Sequence, residues 1–240
     1  MTLSGRDVFV HVIRIAAPDD ALPRFAALLS EEESARARRF RREPLRRAFL
    51  ITHGVARMLL ARYAGVEPAA LRFAYGANGK PRIDASRAPD FSLAHSGDIA
   101  LLAVTHGCEL GVDVERIRRF DELASVAARF FCAEETLGLG ALPAAARELA
   151  FFRCWTRKEA YLKAVGDGLA APLDRVRVTL EAGAGARFVA IDDDPAAAQE
   201  WTLHDMAPAP GYAGALAYND RVRPMRVLPV VEPSTLCAQT

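Results

Sequence analysis

Gly111-Val112-Asp113-Val114-Glu115 and Trp155-Thr156-Arg157-Lys158-Glu159-Ala160-Tyr161-Leu162-Lys163 are the two stretches on which the reading of this chain turns. The first has a strand pattern, in which residues two apart face the same side. Asp113 and Glu115 therefore point together. Two carboxylates a few ångströms apart repel by about 4 kcal/mol at an effective dielectric of about 20, so a cation belongs beside them. If that cation is a metal, all-oxygen ligation favours Mg²⁺, which keeps waters and accepts phosphate oxygens. The plain alternatives are a solvent-facing acidic strand end, or pairing with Arg116 and Arg118. The second stretch is helical, and it puts Trp155, Glu159 and Lys163 on one face. Phe151, Phe152, Tyr161 and Leu162 surround the Glu–Lys pair, which places it at the rim of a core. A partly buried Glu there can act as a third ligand or as a general base. Lys163 can neutralise a phosphate.

Working outward, residues 8–15 read as a first strand. Ser30 reads as a helix N-cap with Glu31, Glu32 and Glu33 in the first turn behind it. Residues 46–63 form a long helical pattern that Gly65 can stop. Residues 73–84 contain Gly76, Asn78-Gly79 and Pro81 and read as a hairpin or turn-rich loop. Residues 91–94 and 99–105 read as strands around Ser96-Gly97-Asp98. In the second half, 110–115 is a strand, 124–131 is helical, and 148–165 is a second long helix closed by Gly166-Asp167-Gly168. Strands follow at 175–180, 187–191, 201–205 and 212–218, and the Pro-rich sequence after Leu228 reads as a tail.

The order in the second half echoes the first: a long helix ending in Gly, then strands. The expected fold is therefore α+β. It comprises two similar halves in one chain, each a small, mostly antiparallel sheet packed on a long helix. The halves are expected at residues 1–107 and 108–232, with 233–240 as a tail, and the Asp113 strand near their seam. Clefts between halves are common ligand sites.

The 240 residues, 51% hydrophobic, are ample for a core. A net charge of +1 from 31 basic and 30 acidic residues argues for neither nucleic acid nor a membrane surface. The basic residues are unevenly spread. Arg36, Arg38, Arg39, Arg41, Arg42, Arg46 and Arg47 crowd one stretch, either a solvated helical face or an anion site. Cys108, Cys132, Cys154 and Cys237 lack paired spacing, so reduced, mostly buried thiols are expected. His11 and Arg14 interrupt the apolar run from Val8, which argues against a signal peptide. No uncharged stretch is long enough to span a bilayer. A soluble cytoplasmic protein is expected.

Two loops add candidate anion contacts: Lys80 after the Asn78-Gly79 turn, and His95 before Ser96-Gly97. Neither is a P-loop or a dinucleotide fingerprint. Taken in order, Asn78-Gly79-Lys80-Pro81, the 91–97 strand, Gly111 to Glu115, Phe131 through Glu135 and the 155–169 helix end resemble 4′-phosphopantetheinyl transferases of the larger, pseudo-dimeric type. The specific likeness spans about residues 38–172.

The resemblance implies transfer of 4′-phosphopantetheine from coenzyme A to a serine of an apo acyl or peptidyl carrier protein. Adenosine 3′,5′-bisphosphate leaves, with Mg²⁺ as cofactor. It implies that Asp113, Glu115 and Glu159 hold the metal and that Asp113, Glu159 and Lys163 are catalytic, Glu159 being also a candidate base for the carrier serine. It assigns Arg36, Arg46, Arg47, Lys80, His95, Lys158 and Lys163 to coenzyme A. Ala94 stands where many relatives have Ser, and Glu33 stands where some have a base. The carrier is expected to dock on an apolar surface with basic edges around residues 120–137, and the chain to work as a monomer. The alternatives are a non-catalytic relative that binds coenzyme A or a carrier protein, and another Mg²⁺-dependent phosphohydrolase.

Overall fold

The computed structural model describes residues 6–76, 78–86, 88–166, 172–180 and 185–237. The chain opens with β1 (Val8–Arg14), α1 (Leu22–Leu28), α2 (Glu31–Arg38) and α3 (Glu43–Ala64). A short hairpin of β2 (Phe73–Tyr75) and β3 (Pro81–Ile83) leads to β4 (Asp90–Ser96), β5 (Ile99–Thr105) and β6 (Leu110–Arg116). Next come α4 (Leu123–Phe130), α5 (Ala133–Ala141), α6 (Ala144–Val165), β7 (Val176–Val178) and β8 (Phe188–Ile191). The chain closes with α7 (Pro195–Gln199), β9 (Thr202–Met206), β10 (Tyr212–Tyr218), β11 (Met225–Val227) and α8 (Pro233–Cys237). These elements form two compact units. One takes the described residues of 1–76, 81–107 and 224–240, the other those of 77–80 and 108–223.

In the first unit the sheet order is β11-β1-β5-β4. β1 runs antiparallel to β5, with Phe9 opposite Val104, and parallel to β11, with Val8 opposite Met225. Helix α3 begins earlier than its apolar periodicity suggests, because Pro44 sits in its first turn, where a missing N–H costs nothing. It buries Ile51, Val55, Leu59 and Leu60 against Phe25, Ile13, Leu102 and Val104. Gly65, at φ +68°, ends it in a left-handed cap.

The segment after Pro224 corrects two expectations. Residues 224–232 were expected in the second half, and the following residues as a tail. Instead β11 pairs with β1, Val231 bridges Ile13, and Leu236 of α8 joins the first unit's core. Proline disguised the pattern: an edge strand tolerates it, yet it breaks the run of apolar alternation that a sequence reading relies on.

The Ser30 cap is present as a complete capping box with Glu33. Glu33 does more than cap: it is buried, bonds Arg57 Nε at 2.7 Å, and lies 3.3 Å from His53 Nδ1. Burial alone would raise its pKa. Hydrogen bonds to His53 and the Ser30 N–H, together with the Arg57 charge, overcome burial and hold it at about 2.

The second unit carries an antiparallel sheet of order β6-β10-β9. Helix α6 contributes Phe151, Phe152 and Ala160 to a core with Val176, Val178, Phe188 and Leu203. It ends at Gly166, φ +84°. Asp167 and Gly168, read as part of that closure, lie outside the described residues, as does Leu169. Each unit is thus α+β, with a mainly antiparallel sheet and a helix of 22 residues. Cys108, Cys132 and Cys154 carry reduced thiols, with Cys108 and Cys154 buried. Among the described residues no helix is long and apolar enough to cross a membrane.

Because the folded pKa of Glu33 lies below its ordinary 4.5, its stabilisation is present above about pH 4.5 and is lost as pH falls toward 2. That contribution is about 3 kcal/mol. We expect Glu33→Gln to be less stable than wild type at pH 7 and to show a flatter acid limb, measured by urea unfolding across pH. Parallel acid limbs would contradict the assignment.

Candidate active site

Gly111 brings the two motifs together. A Cβ at this position would clash with the Ala160 carbonyl oxygen and the Ala164 nitrogen, and would lie 2.9 Å from the Lys163 carbonyl carbon. The backbone of β6 therefore lies directly on α6, which only glycine permits at this separation. Gly111 shares its face with Asp113 and Glu115. Their cross-strand partners on β10 are Ala217, Ala215 and Ala213. Small residues across both strands let the helix approach closely, and this puts Glu159 and Lys163 beside Asp113.

Asp113 is buried, at 5% exposure, and its Oδ1 accepts from Lys163 Nζ at 2.6 Å. Two buried carboxylate oxygens, Asp113 Oδ2 and Glu159 Oε1, have no hydrogen-bond partner among the described residues. Burial pushes the Asp113 pKa up to about 6, against the pull of Lys163, with Glu115 adding to the rise. Burial also lifts Glu159 to about 7, helped by the negative charges of Asp113 and Glu115 and opposed by Lys163. Two neighbouring carboxyls, both raised by burial, have an open requirement for positive charge.

The expected ligand set needs qualification. Among the described residues, no three His, Cys, Asp or Glu side chains stand arranged to hold a metal ion. The lysine ammonium takes Asp113 Oδ1 instead. Lys80 Nζ donates to the Ala164 carbonyl and, at 3.3 Å, to the Leu110 carbonyl. It thereby supports the C-terminal end of α6, where a cation is electrostatically favoured.

Lys158 is a correction. Read as a coenzyme A contact, it has no exposed surface and pairs with Glu135 at 2.7 Å. Its Nζ also donates to the Leu173 carbonyl at 2.9 Å and to that of Val176. A side chain so enclosed has no donor facing solvent. Its neighbour Arg157, likewise buried, bonds Asp205 at 2.8 and 2.6 Å. One hint of this lies in the two consecutive cations of a largely apolar helix, but their partners lie far away in the chain.

The remaining candidates lie in the first unit. Arg36 is exposed, with its guanidinium 5.7 Å from the Phe49 ring centroid. Arg46 pairs with Glu43 at 2.7 Å. Arg47 bonds Asp19 and the Ala17 carbonyl. His95 is exposed near the end of β4, opposite Ala100.

Comparison with known proteins places this arrangement. The family description "4′-phosphopantetheinyl transferase superfamily" matches residues 109–217, which hold β6, α6 and the Asp113–Lys163 pair. The chain is 36% identical over 220 residues to the 4′-phosphopantetheinyl transferase HetI of Nostoc sp., covering 90% of each chain. It is 28% identical over 157 residues to the 4′-phosphopantetheinyl transferase Sfp of Bacillus subtilis, covering 65% of this chain and 69% of that one. The chain belongs to the 4′-phosphopantetheinyl transferase superfamily, in the larger type that includes HetI and Sfp.

Adding one methyl group at Gly111 should force β6 and α6 apart. We expect Gly111→Ala to cost about 1–3 kcal/mol or more in urea unfolding, since backbone atoms are what obstruct it. Wild-type stability in this variant would show that the two backbones are not in contact.

Proposed function

We propose that this protein transfers 4′-phosphopantetheine from coenzyme A to a serine hydroxyl of an apo acyl or peptidyl carrier protein. Family membership supports the class of reaction. The single observation that carries the residue roles is the Asp113–Lys163 ion pair beside Glu159, with two buried carboxylate oxygens unpartnered.

In this reading Glu159 is the base. Its carboxylate lies at the rim of α6 with one oxygen unpartnered, so it can accept the proton of the reacting hydroxyl. The serine oxygen forms a bond to the β-phosphorus of coenzyme A, and its proton goes to Glu159. The bond from that phosphorus to the bridging pyrophosphate oxygen breaks, and adenosine 3′,5′-bisphosphate leaves. Lys163 presents an ammonium to the phosphate oxygens, oriented by Asp113. Reactions of this kind ask chiefly for positioning and charge neutralisation.

The donor set suits Mg²⁺, which binds through one or two carboxylates while substrate phosphates and water supply the rest. Asp113 and Glu159 would hold it, with Glu115 adding negative charge. When bound, the ion would neutralise pyrophosphate charge. Arg36, Arg46, Arg47 and His95 are assigned to coenzyme A by the family pattern. The carrier is assigned to the surface of residues 120–137, where Leu137 is 74% exposed and Arg118 and Arg129 lie against Phe120 and Phe130. The two units are read as related halves, a view supported by their equal 22-residue helices, each ending in a left-handed glycine. A cytoplasmic monomer acting on carriers of secondary metabolism fits this reading.

Incubation with coenzyme A, Mg²⁺ and a panel of apo carriers should add one phosphopantetheine group to a carrier, read by intact mass. Chelation of divalent ions should abolish the gain, and Glu159→Gln should lower kcat by about 10²–10⁴-fold. Unchanged carrier mass across the panel, with tight coenzyme A binding by calorimetry, would instead identify a non-catalytic relative.

A further inference from the structure

We propose that Lys158 and Glu135 are positioning residues: their buried ion pair fixes the rotation of α6, so that Glu159 and Lys163 face Asp113. The proposal rests on the catalytic reading above for its consequence, but its geometry stands independently.

Lys158 and Glu135 are 0% and 3% exposed and 2.7 Å apart. Every polar direction around the pair is used. Lys158 Nζ donates to the carbonyls of Leu173 and Val176. Glu135 Oε2 accepts from Cys132 N at 3.0 Å, and Oε1 accepts from Val178 N at 2.8 Å. One lysine on α6 is thus tied to the first turn of α5, to Leu173 and to β7. The preceding residue, Arg157, ties the helix to β9 through Asp205 and to the Thr179 carbonyl. Consecutive helical residues point about 100° apart, so these clamps grip α6 from two sides. The next residue is Glu159.

Cys154, Ala160, Leu162 and Ala164 on the same helix are buried with apolar side chains, whose burial is less directional than a hydrogen bond. Small side chains against Gly111 and the β10 alanines allow close approach but set no unique rotation. Replacing a buried ion pair by uncharged residues of similar size is often neutral or stabilising, whereas removing one partner strands a buried charge. Directional bonds at Lys158 therefore serve orientation, and displacing a reacting group by about 1 Å can cost about 10²-fold in rate.

The test compares wild type, Lys158→Met, and the double variant Lys158→Met/Glu135→Gln. The single variant leaves Glu135 buried and unpaired and should lose stability. The double variant removes the stranded charge and should recover part of the melting temperature lost by the single variant while remaining folded. Its kcat for carrier modification should still be down by about 10²-fold, with KM for coenzyme A changed less than about twofold. Labelling of Lys163 by acetic anhydride, read by peptide mass, should rise as the Asp113 contact loosens. Wild-type kcat in the double variant would overturn the proposal. So would a raised KM with kcat intact, which would make Lys158 a ligand contact. If wild type modifies no carrier, the functional reading fails separately, and unchanged Lys163 labelling would then overturn the positioning role on its own.

Discussion

The second unit depends on one close approach, the backbone of β6 against the backbone of α6 at Gly111. Around it the sheet is pared down to Ala213, Ala215 and Ala217 on the neighbouring strand. Small residues in a core usually forgo apolar burial, and each large side chain omitted here gives up about 1.5–3 kcal/mol. What the unit obtains is proximity. A helix carrying Glu159 and Lys163 comes within hydrogen-bonding distance of a strand carrying Asp113.

Proximity brings like charges into a dry setting, and the protein leaves that conflict only partly resolved. Lys163 compensates one oxygen of Asp113, while another oxygen of Asp113 and one of Glu159 stay unpartnered. Unsatisfied buried groups cost stability and persist at sites of function. Elsewhere in the same unit charges are fully satisfied. Lys158 with Glu135 and Arg157 with Asp205 use their donors and acceptors within the fold. The contrast between satisfied and unsatisfied buried charge, along three consecutive residues of α6, separates framework from chemistry more clearly than burial does.

Much of the fold was legible locally. The helix N-cap at Ser30, the glycine-terminated helices and the strand carrying Asp113 are set by short-range chemistry, and the structure has them. The C-terminal segment was not legible, because its contacts are with β1 and α3, far away in sequence, and its prolines mask the apolar pattern. Lys158 was misread for a related reason. A lysine next to a catalytic candidate looks like a ligand contact until its partners, on α5 and around β7, are known.

The sequence by itself determined the elements, the shared face of Asp113 and Glu115, and the family, since each follows from residue spacing and order. Tertiary structure alone decided which cations are available. Lys163, partly exposed and paired to Asp113, and Lys158, enclosed and paired to Glu135, lie five residues apart on one helix. Their roles differ because a helix turns its side chains toward different neighbours, and only the packing says which neighbour is a carboxylate in a core and which is one at a reactive rim.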